Sequence, residues 1–329
     1  MPRDLTVSTR ITGREAGRAL LELLVERFPY HDRAQWQAAI AAGHLLLNGE
    51  PAEPEQQLSR GDLLAYRAAG YGEPEVPEQI EEIFAGPDLL LVGKPADVPL
   101  QRTGQIIANT FINQLRRHYH QKIHPLHRLD RETSGLLLCA RSAEANRLYH
   151  SRREKILRGK FYLAVVQGCF PQQEVRIDQP LAPDAGSPIR CQMWPVATGK
   201  SCSSRIFRIA ADEDLSLLLV EPLTGRRHQI RAHLAHLGYP LLGDKIYAHD
   251  GRYYLQRLQA PLTIDDFARL GARQHLLHAW AQFVQLPGER EPRLFFSRQL
   301  SEDFGTHLQR FADWQPRALK VLEDWISAA

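Results

Sequence analysis

Between residues 136 and 140 the chain reads Leu-Leu-Leu-Cys-Ala, an unbroken apolar run directly behind a polar stretch. A short run of this kind predicts a strand buried on both faces, with the preceding polar residues forming a loop pinned to the core's edge. Comparable short segments at 89–92, 161–166, 205–209 and 216–220 continue the sheet. Several are joined by turns rather than helices, so the sheet should be mixed or mainly antiparallel. Helical signals flank it. Ser142 can N-cap a basic helix that stops at Gly159, and residues 319–326 have the spacing of an amphipathic helix packed on the body. The predicted class is α+β: a mixed, mainly antiparallel central sheet with flanking helices, preceded by a small α+β module.

That module has its own pattern. Leu20, Leu21, Leu24 and Phe28 fall at helical spacing between Gly17 and Pro29. Asp32 can cap a second helix carrying Trp36, Ala39 and Ile40, with Gly43 as its stop. Leu45-Leu46-Leu47 reads as a strand, Asn48-Gly49 as a tight turn, and Gly61-Asp62 as a turn into a last strand from Leu63 to Tyr66. Residues 68–79, with Gly70, Gly72, Pro74 and Pro77, read as a linker. We therefore place one domain at 1–75 and a second at 76–329.

Composition bounds the function classes. At 329 residues, 43% hydrophobic and 24% charged, the chain is a globular protein too long for one small core. It has no apolar run of 18 residues and no apolar stretch behind Met1-Pro2-Arg3-Asp4, so we expect a cytoplasmic protein with no membrane partner. The four cysteines are widely spaced, which speaks against a zinc ribbon or a disulfide framework. Net charge is only +3, but its distribution is uneven: residues 141–160 hold seven basic and two acidic side chains, 7 − 2 = +5. Arg116, Arg117 and Lys122 add a second basic cluster. Cations gathered in this way suit phosphate contacts, which give affinity without sequence information. A solvated helix face has the same composition.

Three stretches carry candidate chemistry. In the first, residues 124–135, Asp130 stands between Arg128 and Arg131. Nearby cations favour an ionised carboxyl, so Asp130 is suited to act as a nucleophile or base rather than a proton donor. The second is Lys160-Phe161-Tyr162 at the start of a strand. The third runs from Thr224 to His233, from a turn into a helix, with Arg226 and Arg227 where cations oppose the helix dipole and therefore suit an external anion. His124, His127 and Asp130 recur at intervals of three, a spacing that a metal site on one helix face would use. Pro125 breaks such a helix, and we expect neither metal nor cofactor.

In this order the His-Arg-Leu-Asp-x-x-Thr-Ser-Gly core, the Lys-x-Tyr strand and the Gly-Arg-x-His-Gln-Ile-Arg-x-His segment resemble the RluA-type pseudouridine synthases. Lys94-Pro95, Gly199-Lys200, Gly238 to Asp244 with Tyr247, and Leu277-His278-Ala279 match as well, so the resemblance spans roughly residues 85–295. Ala96-Asp97-Val98 departs from the usual Ala-Gly-Leu. The first module resembles the ribosomal S-four-type RNA-binding module through Leu47-Asn48-Gly49 and Gly61-Asp62, with Asp32-Arg33 in place of its usual Ser-Arg pair.

The resemblance implies an RNA uridine isomerase. Asp130 takes the place of the catalytic aspartate, Tyr162 that of the tyrosine whose ring stacks on uracil, and Arg231 that of the arginine paired with the aspartate. A guanidinium can hold a carboxylate through two parallel hydrogen bonds. Arg128, Lys160, Arg226 and His228 are assigned to RNA binding or support, with Arg128 near the displaced base or its phosphate. His127 shapes the loop, while Thr133 and Ser134 cap it against the strand. The implied partner is RNA, ribosomal before transfer RNA, acted on by a monomer. The competing reading is a catalytically silent RNA-binding or ribosome-assembly protein. It leaves unexplained a carboxylate inside a basic groove, where it repels phosphate.

Overall fold

In the computed structural model, which describes residues 3–28, 31–71, 73–103 and 106–328, the chain separates into two units. The first runs up to Glu75 and includes Arg102–Asn109; the second comprises Val76–Gln101 and the chain from Thr110 on.

The first unit contains β1 (Arg3–Arg10), α1 (Leu20–Arg27), α2 (Arg33–Ala41), β2 (Leu45–Leu47), β3 (Glu50–Pro51) and β4 (Leu63–Tyr71). Its antiparallel sheet has the order β1-β4-β2-β3. Local chemistry sets the corners. The Asp32 carboxylate accepts the Gln35 N–H at 2.8 Å while the Gln35 side chain accepts the Asp32 N–H at 2.9 Å, a capping box. Asn48 and Gly49 both turn at positive φ, 54° and 96°, as a two-residue hairpin requires. Leu20, Leu24, Trp36, Leu45 and Leu64 share one core.

Two features of this unit differ from expectation. β1 has no burial signature in the sequence, because Leu5 and Val7 are its only apolar residues; its pairing with β4 makes it a strand. That pairing also carries β4 to Tyr71, into the stretch read as a linker. Pro29 and Gly72 lie outside the described residues.

The second unit begins with β5 (Glu81–Ala85), β6 (Leu89–Lys94), α3 (Phe111–Tyr119), β7 (His124–Pro125), β8 (Ser134–Ala140), α4 (Ala143–His150), α5 (Arg153–Ile156) and β9 (Leu157–Gln167). It continues through β10 (Glu174–Ile177), β11 (Leu181–Pro183), β12 (Met193–Pro195), β13 (Ser204–Ala211), β14 (Leu215–Pro222) and α6 (Gln229–His236). After α7 (Arg252–Arg257) and α8 (Ile264–Leu270) come β15 (Leu277–Val284), β16 (Arg293–Phe296), α9 (Glu302–Leu308) and α10 (Trp314–Ala328).

The main sheet has the order β10-β13-β14-β9-β15-β8-β6-β5, with β16 on β15 and β7 on β8. Only β15 and β8 run parallel among the named pairs, so the sheet is mixed and mainly antiparallel.

Alternation along β9 sends its side chains into two different cores of the unit. Tyr162, Ala164 and Val166 face a cluster containing Phe111 and Leu115 of α3, Tyr149 of α4 and Ile230 of α6. Phe161, Leu163 and Val165 face the opposite cluster, with Phe304 of α9 and Leu322 of α10. Each such buried side chain contributes roughly 1.5–3 kcal/mol. Among the described residues no helix is long and apolar enough to cross a membrane.

The basic helix expected to run from Ser142 to Gly159 is corrected here. It divides into α4 and the single turn α5, and from Leu157 the chain is already strand. Tertiary packing overrides local propensity. Gly159 pairs with Phe283 of β15, and a Cβ there would come within 3.1 Å of the Phe283 ring and 3.0 Å of Trp325. The rings of Phe283 and Trp325 stack at 4.6 Å over this spot, a contact a helix would forfeit.

Candidate active site

Asp130 lies on the loop between β7 and β8, and its neighbours explain the loop's shape. Gly135 sits at φ 103°, where an added Cβ would lie 2.2 Å from the Ala279 carbonyl of β15. Only glycine lets β8 and β15 approach there. Thr133 Oγ1 meets His275 Nε2 at 2.8 Å and Ser134 Oγ meets His278 Nδ1 at 2.8 Å, two buried polar contacts that fasten the loop's end. At its start the His127 Nε2 accepts the Leu138 N–H at 3.0 Å. Burial pushes His127 down to about 3, so it is neutral. Lys94, fully buried at the end of β6, donates to the carbonyls of Pro95, Val98 and Arg131 at 2.8, 2.8 and 3.0 Å.

Neither sequence neighbour neutralises Asp130. Arg131 Nε pairs with Asp97 at 2.7 Å, at the position where the Ala-Gly-Leu pattern is broken and the backbone turns at φ 60°. Arg128 is exposed and lines a groove. The cation on Asp130 Oδ2 is Arg231 Nη1 of α6, at 3.0 Å.

One expected detail is corrected. The two parallel hydrogen bonds of Arg231 go not to Asp130 but to Asp244, Nε to Oδ2 at 2.7 Å and Nη2 to Oδ1 at 2.9 Å. The fork is already occupied, so Asp130 receives one bond. Asp244 also accepts the N–H groups of Ile246 and Tyr247 at 2.9 and 3.1 Å.

His228 opens α6 in a left-handed conformation, φ 53°. Its Nε2 is 3.8 Å from Asp130 Oδ2 and its Nδ1 is 3.1 Å from the Tyr247 hydroxyl, which already accepts the Met193 N–H at 2.9 Å. Burial, then the Arg231 charge, push His228 down to about 3. The turn ahead of it is tied by Gln229, whose Oε1 accepts from Thr224 Oγ1 at 2.8 Å and from the Arg226 N–H at 3.0 Å.

The groups around it decide the state of Asp130. Burial opposes its ionisation, but His228 and the Arg231 guanidinium outweigh it and hold the carboxyl well below the usual carboxylate range. Tyr162 responds in the opposite sense. Burial and then the Asp130 charge push its hydroxyl above the ordinary tyrosine range, so the ring carries a protonated hydroxyl.

Asp130, Tyr162, Arg231 and His228 all line one groove of about 740 Å³, together with His127, Arg128, Thr133, Lys160 and Arg226. The nine candidate residues are therefore brought together. Lys160 is lowered by burial and by Arg153, while Arg226 is exposed and reaches the Ser201 carbonyl at 3.0 Å. Asp244, Tyr247 and His275 were missed as site residues. The Gly-Asp-Lys-x-Tyr segment signalled the first two, whereas nothing local marks His275 as a partner of Thr133.

A pseudouridylate synthase core is what this fold matches. A family profile described as RNA pseudouridylate synthase matches residues 88–236. An uncharacterized RNA pseudouridine synthase of Synechocystis is 35% identical over 234 residues, 70% of this chain and 80% of that one. The Homo sapiens pseudouridylate synthase RPUSD2 is 34% identical over 241 residues, and a mitochondrial tRNA pseudouridine(32) synthase of Saccharomyces cerevisiae is 30% identical over 253. These matches cover 73% and 76% of this chain but only 44% and 54% of those relatives' own lengths. A solved human RNA pseudouridylate synthase domain-containing protein shares the fold, with 23% identity and a TM-score of 0.53 over 73% of this chain and 98% of its own. The chain belongs to the RNA pseudouridylate synthase family.

Proposed function

We propose that the protein is a cofactor-free RNA pseudouridine synthase, and that Asp130, Tyr162 and Arg231 carry its reaction. The observation that supports this most directly is an ionised carboxylate at the floor of a basic groove, beside a buried aromatic ring. Asp130 is 16% exposed at its side chain and Tyr162 only 7% exposed. A base reaches such a place only after leaving its stack, at a cost of roughly a few kcal/mol. Stacking on the Tyr162 ring returns roughly 1–3 kcal/mol.

The reaction itself is redox-neutral. The N1–C1′ bond of the uridine breaks, the uracil turns, a C5–C1′ bond forms, and the proton lost from C5 is matched by one gained at N1. Asp130 acts at the ribose. Arg231 fixes its aim, and because Asp244 already holds the guanidinium by two bonds, the carboxylate does not have to order its own partner. The raised hydroxyl of Tyr162 serves as a donor or a stacking surface rather than as a phenolate base.

Arg128, Lys160 and Arg226 would hold phosphates flanking the target, with His127, Thr133 and His228 supporting the loop. The first unit, in its likeness to an S-four-type module, favours ribosomal RNA as substrate and transfer RNA next; the names of two yeast relatives, tRNA pseudouridine(32) and tRNA pseudouridine(31) synthase, support transfer RNA. The four free cysteines suit the reducing cytoplasm, and a monomer is the simplest assembly for this reading. The test is mass-spectrometric mapping of pseudouridine in ribosomal and transfer RNA from cells lacking the gene and cells carrying Asp130→Asn. One or a few sites should vanish in both strains. An unchanged map in both would overturn the reading.

A further inference from the structure

Beside the Asp130–Arg231–Asp244 chain runs a second link that the proposed reaction does not use. The Glu132 side chain is 11% exposed, and both its oxygens meet Lys245 Nζ, at 3.1 and 3.0 Å. Arg257 Nη1 adds a contact at 3.2 Å and the His275 N–H another at 3.1 Å. His275 closes the figure, because the ring nitrogen that meets Thr133 leaves the other 3.6 Å from Glu132. Lys245 also donates to the Arg273 carbonyl at 2.6 Å. Burial opposes ionisation of Glu132, but Lys245, His275 and Arg257 bring it down to about 2.

The sequence positions make this geometry informative. Arg231 bridges Asp130 to Asp244, and Glu132 bonds Lys245 directly, so the same two segments are joined twice within three residues. One link fixes a distance and still permits rotation about it. Two links fix the angle as well. In the motif His-Arg-Leu-Asp-x-x-Thr-Ser-Gly, moreover, Glu132 occupies a position the pattern leaves open.

We infer that Glu132 and Lys245 are positioning residues, holding the Asp130 loop at the angle from which Arg231 reaches both aspartates. The inference rests on the reaction proposed above. The competing account is an ion pair that serves folding only, and the two accounts separate because a buried pair can often be replaced by uncharged groups with little loss of stability.

The experiment uses the full-length protein with Glu132→Gln, Lys245→Met and the double substitution, reading melting temperature, RNA affinity and single-turnover rate. Glu132→Gln strands the lysine charge and should lower both melting temperature and rate, the rate by up to roughly 10²-fold as expected for a misplaced reacting group, with RNA affinity unchanged. The double variant restores charge balance. It should recover most of the melting temperature and remain slow. A rate that recovers with the melting temperature, or a Glu132→Gln rate equal to the wild type, overturns the inference.

Should Glu132→Gln not fold, Glu132→Asp keeps the charge and shortens the reach, and must show the same slow rate. A readout independent of turnover is solvent exchange of the Arg231 Nε–H by NMR, slow in the wild type and faster in each variant. If the wild type isomerises no uridine, the functional reading fails by itself; unchanged Arg231 exchange in the variants sinks the positioning role whatever the reaction.

Discussion

Up to residue 75 the chain carries eight arginines, no lysine and eleven carboxylates, 8 − 11 = −3, while the remainder carries 33 basic against 27 acidic residues, 33 − 27 = +6. Particular cations of the two regions are placed differently. In the first unit Arg18, Arg27 and Arg33 each close on a glutamate of the same unit. In the groove of the second, Arg128, Arg153, Arg158 and Lys160 have no carboxylate within ion-pair reach among the described residues. Cations left unneutralised repel one another, and a polyanion relieves that repulsion. If the proposed function holds, affinity for RNA phosphate is expected of the groove, and a contribution of the first unit is expected from shape rather than from net charge.

The sharpest way to test this contrast is to break one ion pair of each kind. Asp244→Asn removes half of a buried pair and leaves Arg231 with a single carboxylate, so stability should fall by about 3–5 kcal/mol. Glu22→Gln, which frees the half-exposed Arg33 of the first unit, should leave melting almost unmoved. Calorimetry on both variants decides the matter, and comparable losses would erase the distinction between the regions.

Acid provides a second, smaller lever. The second unit holds His127 and His228 at about 3 and His275 and His278 at about 4, each lowered first by burial. Their folded values lie below the unfolded value near 6.5, so between those limits the unfolded chain binds more protons and stability falls as pH falls. The loss is at most about 1.4 kcal/mol per histidine for each pH unit. The first unit's His31 and His44 are not buried. Hydrogen exchange at pH 7 and pH 5 should show protection lost mainly from β8, β9 and β15. A uniform loss across both units would count against it.

The smallest effect concerns salt. Removing Arg153, Arg158 and Lys160 together should flatten the dependence of RNA affinity on log salt by about 0.7 per charge. Replacing Arg18, Arg27 and Arg33 by alanine should leave that slope in place. Equal slopes for the two triple variants would mean that the groove is not the phosphate track.

How much of this was legible beforehand depends on the range of the interaction. The Asp32 cap and the Asn48-Gly49 turn act over two to four residues, and their geometry could be written down from residue type alone. The apolar runs of β6, β8 and β14 were equally plain, because burial on both faces leaves their central positions apolar. β1 and the chain between Ser142 and Gly159 were not legible. A strand with two apolar residues exists because β4 offers a partner, and a helical pattern gave way to β9 because Phe283 and Trp325 offered aromatic contact.

At the candidate site the sequence by itself determined the reagents: an aspartate in a polar loop, a tyrosine on a buried strand, and an arginine in a turn-to-helix segment. Only the tertiary structure decided which charges meet. Arg131, one residue from Asp130, turns away to Asp97, whereas Arg231, 101 residues distant, supplies the neutralising bond and takes its own support from Asp244. Coulomb energy depends on separation in space and on how much water lies between the charges. Neither quantity is written in the order of the residues.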